Sequence, residues 1–179
     1  MPVSLLLHLD QPPEFGSLAF SLDLRPISRQ GGKQKKRELI NAIRDVTRGV
    51  KYLLSGDVQI EIEWLVHEKE RYETNDSPDI DNILKPIIDA LCGPDGLLID
   101  DCQLQAVTSA WIDWTSTDHL LNFSIKFMPD EWVRKEDLVF VHLGDDLYFP
   151  MQGNMPPQFG AQLLNSVQKM IALKGELEA

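Results

Sequence analysis

A chain of 179 residues, 43% apolar and 25% charged, holds enough apolar material for the core of one domain, or of one domain with an appendage. It contains no apolar run near the ~18 residues of a membrane-spanning helix, and its start lacks the basic leader and small-residue cleavage site of a secretory signal. The net charge of −11 argues against a nucleic-acid partner until its distribution is read: nine basic and two acidic residues lie between Arg25 and Lys51, so that segment carries +7 and the rest of the chain −18.

Four segments alternate apolar and polar residues with the period of two expected of half-buried strands. They are Leu18-Phe20-Leu22-Leu24, Val58-Ile60-Ile62-Trp64-Val66, Leu104-Ala106-Thr108-Ala110-Ile112 and Leu121-Phe123-Ile125-Phe127. A helix is predicted between the first two, from about Lys33 to Val50, with Leu39, Ile40, Ile43, Val46 and Val50 at helical spacing between Gly31-Gly32 and Gly49. A second, shorter helix between strands two and three carries Ile83, Leu84, Ile87, Ile88 and Leu91 in one stripe. Asp81, Lys85 and Asp89 follow at four-residue steps on another face. Pro86 lies inside this helix, where it withholds a backbone donor and implies a late start or a kinked first turn; Gly93-Pro94-Asp95-Gly96 ends it. The predicted order is β-α-β-α-β-β, an α+β fold with a mixed sheet of about four strands, helices on one face and a C-terminal extension. Residues 16–129 form this domain. Residues 130–179 hold a short apolar run from Leu138 to Leu143, an acidic Gly-Asp-Asp turn, a Pro156-Pro157 break and a last helix with Leu163, Leu164, Val167, Met170 and Ile171 on one face.

The chemistry concentrates in Pro78-Asp79-Ile80-Asp81-Asn82 with Lys85, and in Ile99-Asp100-Asp101-Cys102-Gln103. Pro78 favours extended backbone before it, and two residues apart in an extended segment point the same way, so Asp79 and Asp81 can converge on one ion. Asp100-Asp101 leads into strand three, where neighbours face opposite ways. Asp101 shares the parity of Gln103 and Gln105 and is assigned to the polar site. Asp100 shares that of Leu104 and Ala106; it is structural or an outer group of the metal set, provided no bulge intervenes. Carboxylates gathered in one place repel unless a cation neutralises them, and Mg2+ suits carboxylate, water and phosphate oxygen. Such a site can activate a water and stabilise the leaving oxygen, with Lys85 holding the water or neutralising the transition state. Each piece alone has a plainer reading. A DxD before a helix is usually a cap, an Asp-Asp pair at a strand start a turn, and Lys85 a surface ion pair.

Together, Pro78-Asp79-Ile80-Asp81-Asn82, Lys85-Pro86, Asp89-Ala90-Leu91, Gly93 and Asp100-Asp101-Cys102-Gln103 resemble the signature of the RusA-type Holliday junction resolvases. These are small dimeric endodeoxyribonucleases, common in bacteria and their prophages, that use Mg2+ to nick four-way DNA junctions symmetrically. The resemblance is strong over residues 78–103, extends in strand order over about 16–129 and ends at 130. By position it implies Asp79, Asp81, Asp101 and Lys85 as catalytic residues. Asp79, Asp81 and Asp101 would be metal ligands, with Asp100 kept in the metal set. The polar loop after the family's first strand would be Arg25-Pro26-Ile27-Ser28-Arg29. With the basic cluster Lys33, Lys35, Lys36 and Arg37, Arg25 and Arg29 are the candidate DNA contacts. The implied protein is a homodimer acting on branched DNA by direct attack of an activated water, without a covalent enzyme intermediate.

The remaining residues carry less. Cys92 and Cys102 match neither a CxxC pair nor a disulfide framework, which points to reduced thiols in the cytoplasm. His8, His67, His119 and His142 have no ligand spacing. Trp111 and Trp114 suit packing better than base stacking. Two rival functions follow: a relaxed nuclease of other branched DNA, and a non-catalytic relative binding a protein partner through its acidic surface.

Overall fold

The computed structural model describes residues 7–24, 32–67, 80–116, 118–144 and 147–177, without the side chains of 80–83, 144, 147–148 and 174–177. The chain divides into two compact units, Met1–Val133 and Arg134–Ala179.

The first unit is built on a mixed sheet in the order β1-β5-β3-β4. Its strands are β1 (Ser17–Asp23), β3 (Val58–His67), β4 (Leu104–Trp114) and β5 (Leu120–Phe127). β5 runs antiparallel to both β1 and β3, and β4 runs parallel to β3 at the edge. The inward positions of the alternating segments, including Phe20, Ile60, Ile62, Trp64, Phe123 and Ile125, are buried in one core. Phe20 and Phe123, paired across β1 and β5, stack with centroids 4.5 Å apart. Each such side chain removed from water contributes about 1.5–3 kcal/mol before conformational entropy is counted, which is why the period of two survives in the structure.

Two helices pack on this face: α1 (Gly32–Thr47) through Leu39 and Ile43, and α2 (Ile80–Leu91) through Ile87, Ala90 and Leu91. α1 stops at Thr47, three residues before the predicted end. There the buried Thr47 hydroxyl donates to the Asp95 carbonyl at 2.7 Å, with the Ile43 carbonyl 3.2 Å away. α2 runs through Pro86 from Ile80 onward. The late start that the proline implied does not occur: the proline forfeits one hydrogen bond, and Leu84, Ile87 and Leu91 on either side of it stay in contact with the core. No described helix is long and apolar enough to cross a membrane.

Strand β4 departs from its predicted parity. Val58 pairs with Leu104 but Gln59 pairs with Ala106, so Gln105 is an extra residue that flips every later position. Val107 and Trp111 therefore pack on the core, and Ala106, Thr108 and Ile112 are exposed on the other face. Trp111 stacks on Trp64 at 5.5 Å as a packing residue, whereas Trp114 is 39% exposed.

Two elements have no periodic signal. β2 (Tyr52–Leu54) is buried throughout and pairs with β6 (Trp132–Arg134), with Tyr52 and Trp132 in edge contact at 6.2 Å. The second unit holds a hairpin, β7 (Leu138–Gly144) and β8 (Leu147–Gln152), followed by α3 (Pro157–Leu177). The two aspartates of the predicted Gly-Asp-Asp turn lie outside the described residues. On α3 only part of the predicted apolar stripe is covered: Val167 is buried, while Met170 and Ile171 are exposed.

Candidate active site

The segment from Gly93 to Gln103 is shaped by small residues and by one glutamine. Gly93 has φ +86°, which a side-chain-bearing residue rarely adopts. Gly96 lies against the backbone of Leu91, where a Cβ would collide with the Leu91 carbonyl. This close turn lets the Leu97 and Leu98 amides both donate to the Leu91 carbonyl, at 2.8 and 2.9 Å, and the Leu54 amide donate to Leu97 at 2.8 Å. The end of α2 is thereby joined to β2 through two fully buried leucines.

Next, Asp101–Gln103 forms a 3-10 turn capped by Asp100. The Cys102 amide donates to Asp100 Oδ1 at 2.9 Å, and Gln103 Oε1 accepts from the Asp100 amide at 3.0 Å, a reciprocal capping box. Gln103 Oε1 also accepts from the Ile99 amide at 2.8 Å, while its Nε2 donates to the Leu54 and Gly56 carbonyls, both at 2.9 Å. Four hydrogen bonds to backbone fix this buried side chain. The expected strand alternation is overturned here: the turn buries Gln103 and leaves Asp101 outside. Asp101 is presented by a turn rather than by strand parity.

Lys85, in the middle of α2, meets this turn. Its Nζ lies 2.9 Å from Asp101 Oδ2 and 2.8 Å from Asp89 Oδ1. Hydrogen bonds to Asp89 and then to Asp101 push the lysine further above its ordinary range, so it is a fixed cation at any working pH. The three side chains are about half exposed or more, so the pairs add little to stability and leave the groups accessible. The Asp100 carboxyl is held below its ordinary value, chiefly by the Cys102 amide. Cys92, behind the turn, is pushed up to about 12 by burial first and by the nearby aspartates second.

Of the predicted site residues, the structure brings Lys85 and Asp101 together and adds Asp89, which shares one helical face with Lys85. Asp100 stands beside them as the cap of the turn. Asp81 belongs to α2, one turn before Lys85, and not to an extended segment; the helix begins at Ile80. Its side chain, and Asp79 altogether, lie outside the described residues. Among the described residues no three His, Cys, Asp or Glu side chains stand close enough to hold a metal ion. A Mg2+ site here would have to combine Asp101 with Asp79 or Asp81. Asp101, an accessible carboxylate on a firmly anchored turn, is a donor of the kind a hard oxygen-seeking cation takes. Gln103 was legible as the fourth residue of an Asp-x-x-Gln capping pattern.

Lys33, Lys35, Lys36 and Arg37 are all exposed on the first two turns of α1, and Arg25 and Arg29 lie outside the described residues. The first turn of α1 has no acidic residue. Lys33 and Lys35, in that first turn, oppose the helix dipole, so their placement does not serve the stability of the helix. A shallow cavity of about 290 Å³ lies elsewhere, on the open sheet face, lined by residues including Ser21, Glu61, Glu63 and Asn122.

No curated protein matches the chain. The family profile described as endodeoxyribonuclease RusA matches residues 11–119, more than half of the 179 residues, and includes both the Lys85 helix and the Asp101 turn. By that match, and with its carboxylate–lysine cluster inside the matched region, the chain belongs to the RusA family of endodeoxyribonucleases.

Proposed function

We propose that the protein is a Mg2+-dependent, structure-selective endodeoxyribonuclease that resolves four-way DNA junctions. Membership of the family implies nuclease action on Holliday junctions. The observation that carries the finer reading is the meeting of Lys85 and Asp101 at 2.9 Å, sixteen residues apart, on two elements that bear the family signature.

Asp101, Asp81 and Asp79 would hold the cation, with Asp100 keeping the Asp101 turn in place. When bound, Mg2+ supplies a Lewis acid for the phosphate and lowers the pKa of water. The chain's own groups do the rest. Asp101 offers a carboxylate on a turn anchored by Gln103, so its position costs no reordering during reaction. Lys85 brings one positive charge to within reach of the scissile phosphate, where negative charge accumulates as the P–O bond breaks. Lys33, Lys35, Lys36 and Arg37 bind the sugar-phosphate backbone, the sequence-independent contact that a junction enzyme needs. Paired cuts in opposing strands require two sites, hence a homodimer. The free thiols Cys92 and Cys102 support a reducing, cytoplasmic setting.

The test is cleavage of a synthetic four-way junction, a flap and a linear duplex by the full chain, with Mg2+ or with EDTA. Paired nicks in the junction alone, dependent on Mg2+ and lost in Asp81→Asn with junction binding retained, support the proposal. Preferential cutting of the flap favours a relaxed nuclease. Failure to cut any of the three favours a non-catalytic binding module.

A further inference from the structure

The ammonium of Lys85 is shared between two carboxylates that belong to different elements. Asp89 is on the same helix, four residues on, and so stays within reach of Lys85 whatever happens at the neighbouring turn. Asp101 is on a turn held by its own capping box and by Gln103. Neither carboxylate has to move for the lysine to lean on one or the other, since its Nζ already lies within 2.9 Å of both and the half-exposed pairs are individually weak. A divalent cation taken up by Asp101 would meet the lysine as a like charge on the same carboxylate.

We propose that Asp89 is a positioning residue that receives Lys85 from Asp101 when a divalent cation binds. The handover frees Asp101 as a ligand and retains the lysine in the site instead of expelling it to solvent. It rests on the reading of this cluster as a divalent-metal nuclease centre and assigns Asp89 a role in that centre distinct from metal ligation. Without Asp89 the lysine has Asp101 as its remaining partner in this trio and competes with the cation for it.

The experiment is calorimetric titration of the full chain with Mn2+, without DNA, across a cycle of Asp89→Asn, Lys85→Gln and the double variant. Thermal unfolding confirms that each is folded. Asp89→Asn is expected to weaken Mn2+ binding by roughly two- to fivefold, the range an exposed ion pair spans. Lys85→Gln is expected to tighten it, and adding Asp89→Asn to Lys85→Gln to change nothing further. Asp89→Glu, which keeps a carboxylate beside Lys85, should restore wild-type affinity. Equal weakening by Asp89→Asn with and without Lys85 would overturn the handover, because Asp89 would then act on the cation directly. So would unchanged affinity in the Asp89→Asn protein. Asp101→Asn marks the site: if wild type shows no Mn2+ binding that this variant removes, the metal reading itself fails and the handover with it.

Discussion

Replacing Gln103 with methionine nearly conserves the volume of the side chain and removes all four of its hydrogen bonds. The bond to the Leu54 carbonyl is buried, and leaving that acceptor unpaired costs about 1–3 kcal/mol. The bonds to Gly56, Ile99 and Asp100 are partly buried. Water can replace some of each, so they contribute about 0.5–1 kcal/mol apiece. The total is a loss of about 2.5–6 kcal/mol, or a fall in Tm on the order of 10 °C for a chain of this size. Urea and thermal unfolding followed by tryptophan fluorescence measure it, since Trp64 is in the affected core. Junction cleavage, measured well below the lowered Tm, should fall further than the folded fraction does, because the turn that presents Asp101 has lost its anchor. A loss below about 1 kcal/mol would refute the assignment of Gln103 as the brace between β2 and the site.

Other consequences follow from single positions. Tyr52 Oη is buried without a hydrogen-bond partner among the described residues, so Tyr52→Phe should stabilise by about 1 kcal/mol, read from the urea midpoint. Burial pushes Tyr52 up to about 12 from 10.0 and Cys92 up to about 12 from 9.0. Both raised values favour the protonated folded form, so their stabilisation is intact below pH 9. It is lost as pH rises towards 12, because the unfolded chain ionises first; urea midpoints that stay flat from pH 9 to 11 would contradict this. Gly96→Ala should cost more than about 2 kcal/mol, whereas Gly49→Ala, with open space around its Cβ, should stay within about 0.5 kcal/mol of wild type. Changing Lys35, Lys36 and Arg37 together to glutamine should weaken junction binding and lower the slope of log K against log salt by about 3; an unchanged slope would remove α1 from the DNA contact.

How much of this was legible in the sequence depends on how local each signal is. The four strands and two helices of the first unit are fixed by whether apolar residues recur every second or every third and fourth position, and they lie where those periods place them. β2 has three consecutive buried residues and β6 has three in all, too short to show a period, and both depend on pairing across some eighty residues. The face of β4 is not legible in its alternation, because a single extra residue, Gln105, reverses parity without altering the alternation itself. Asp101 was selected by strand parity, yet it is exposed because Asp100 and Gln103 cap a 3-10 turn, a pattern present in the sequence as Asp-x-x-Gln. Lys85 and Asp89 were visible as neighbours on one helical face. That Asp101 meets them is a property of the parallel β3–α2–β4 crossover, which periodicity does not encode.

The most direct test of the account compares wild type with Asp101→Asn for binding and cutting of one four-way junction in Mg2+. Junction affinity should stay within a few fold of wild type and cleavage should slow by roughly a hundredfold or more, since the substitution removes the carboxylate and leaves the basic face of α1 intact. An Asp101→Asn protein that cuts the junction as fast as wild type would contradict the assignment of this turn to the active site.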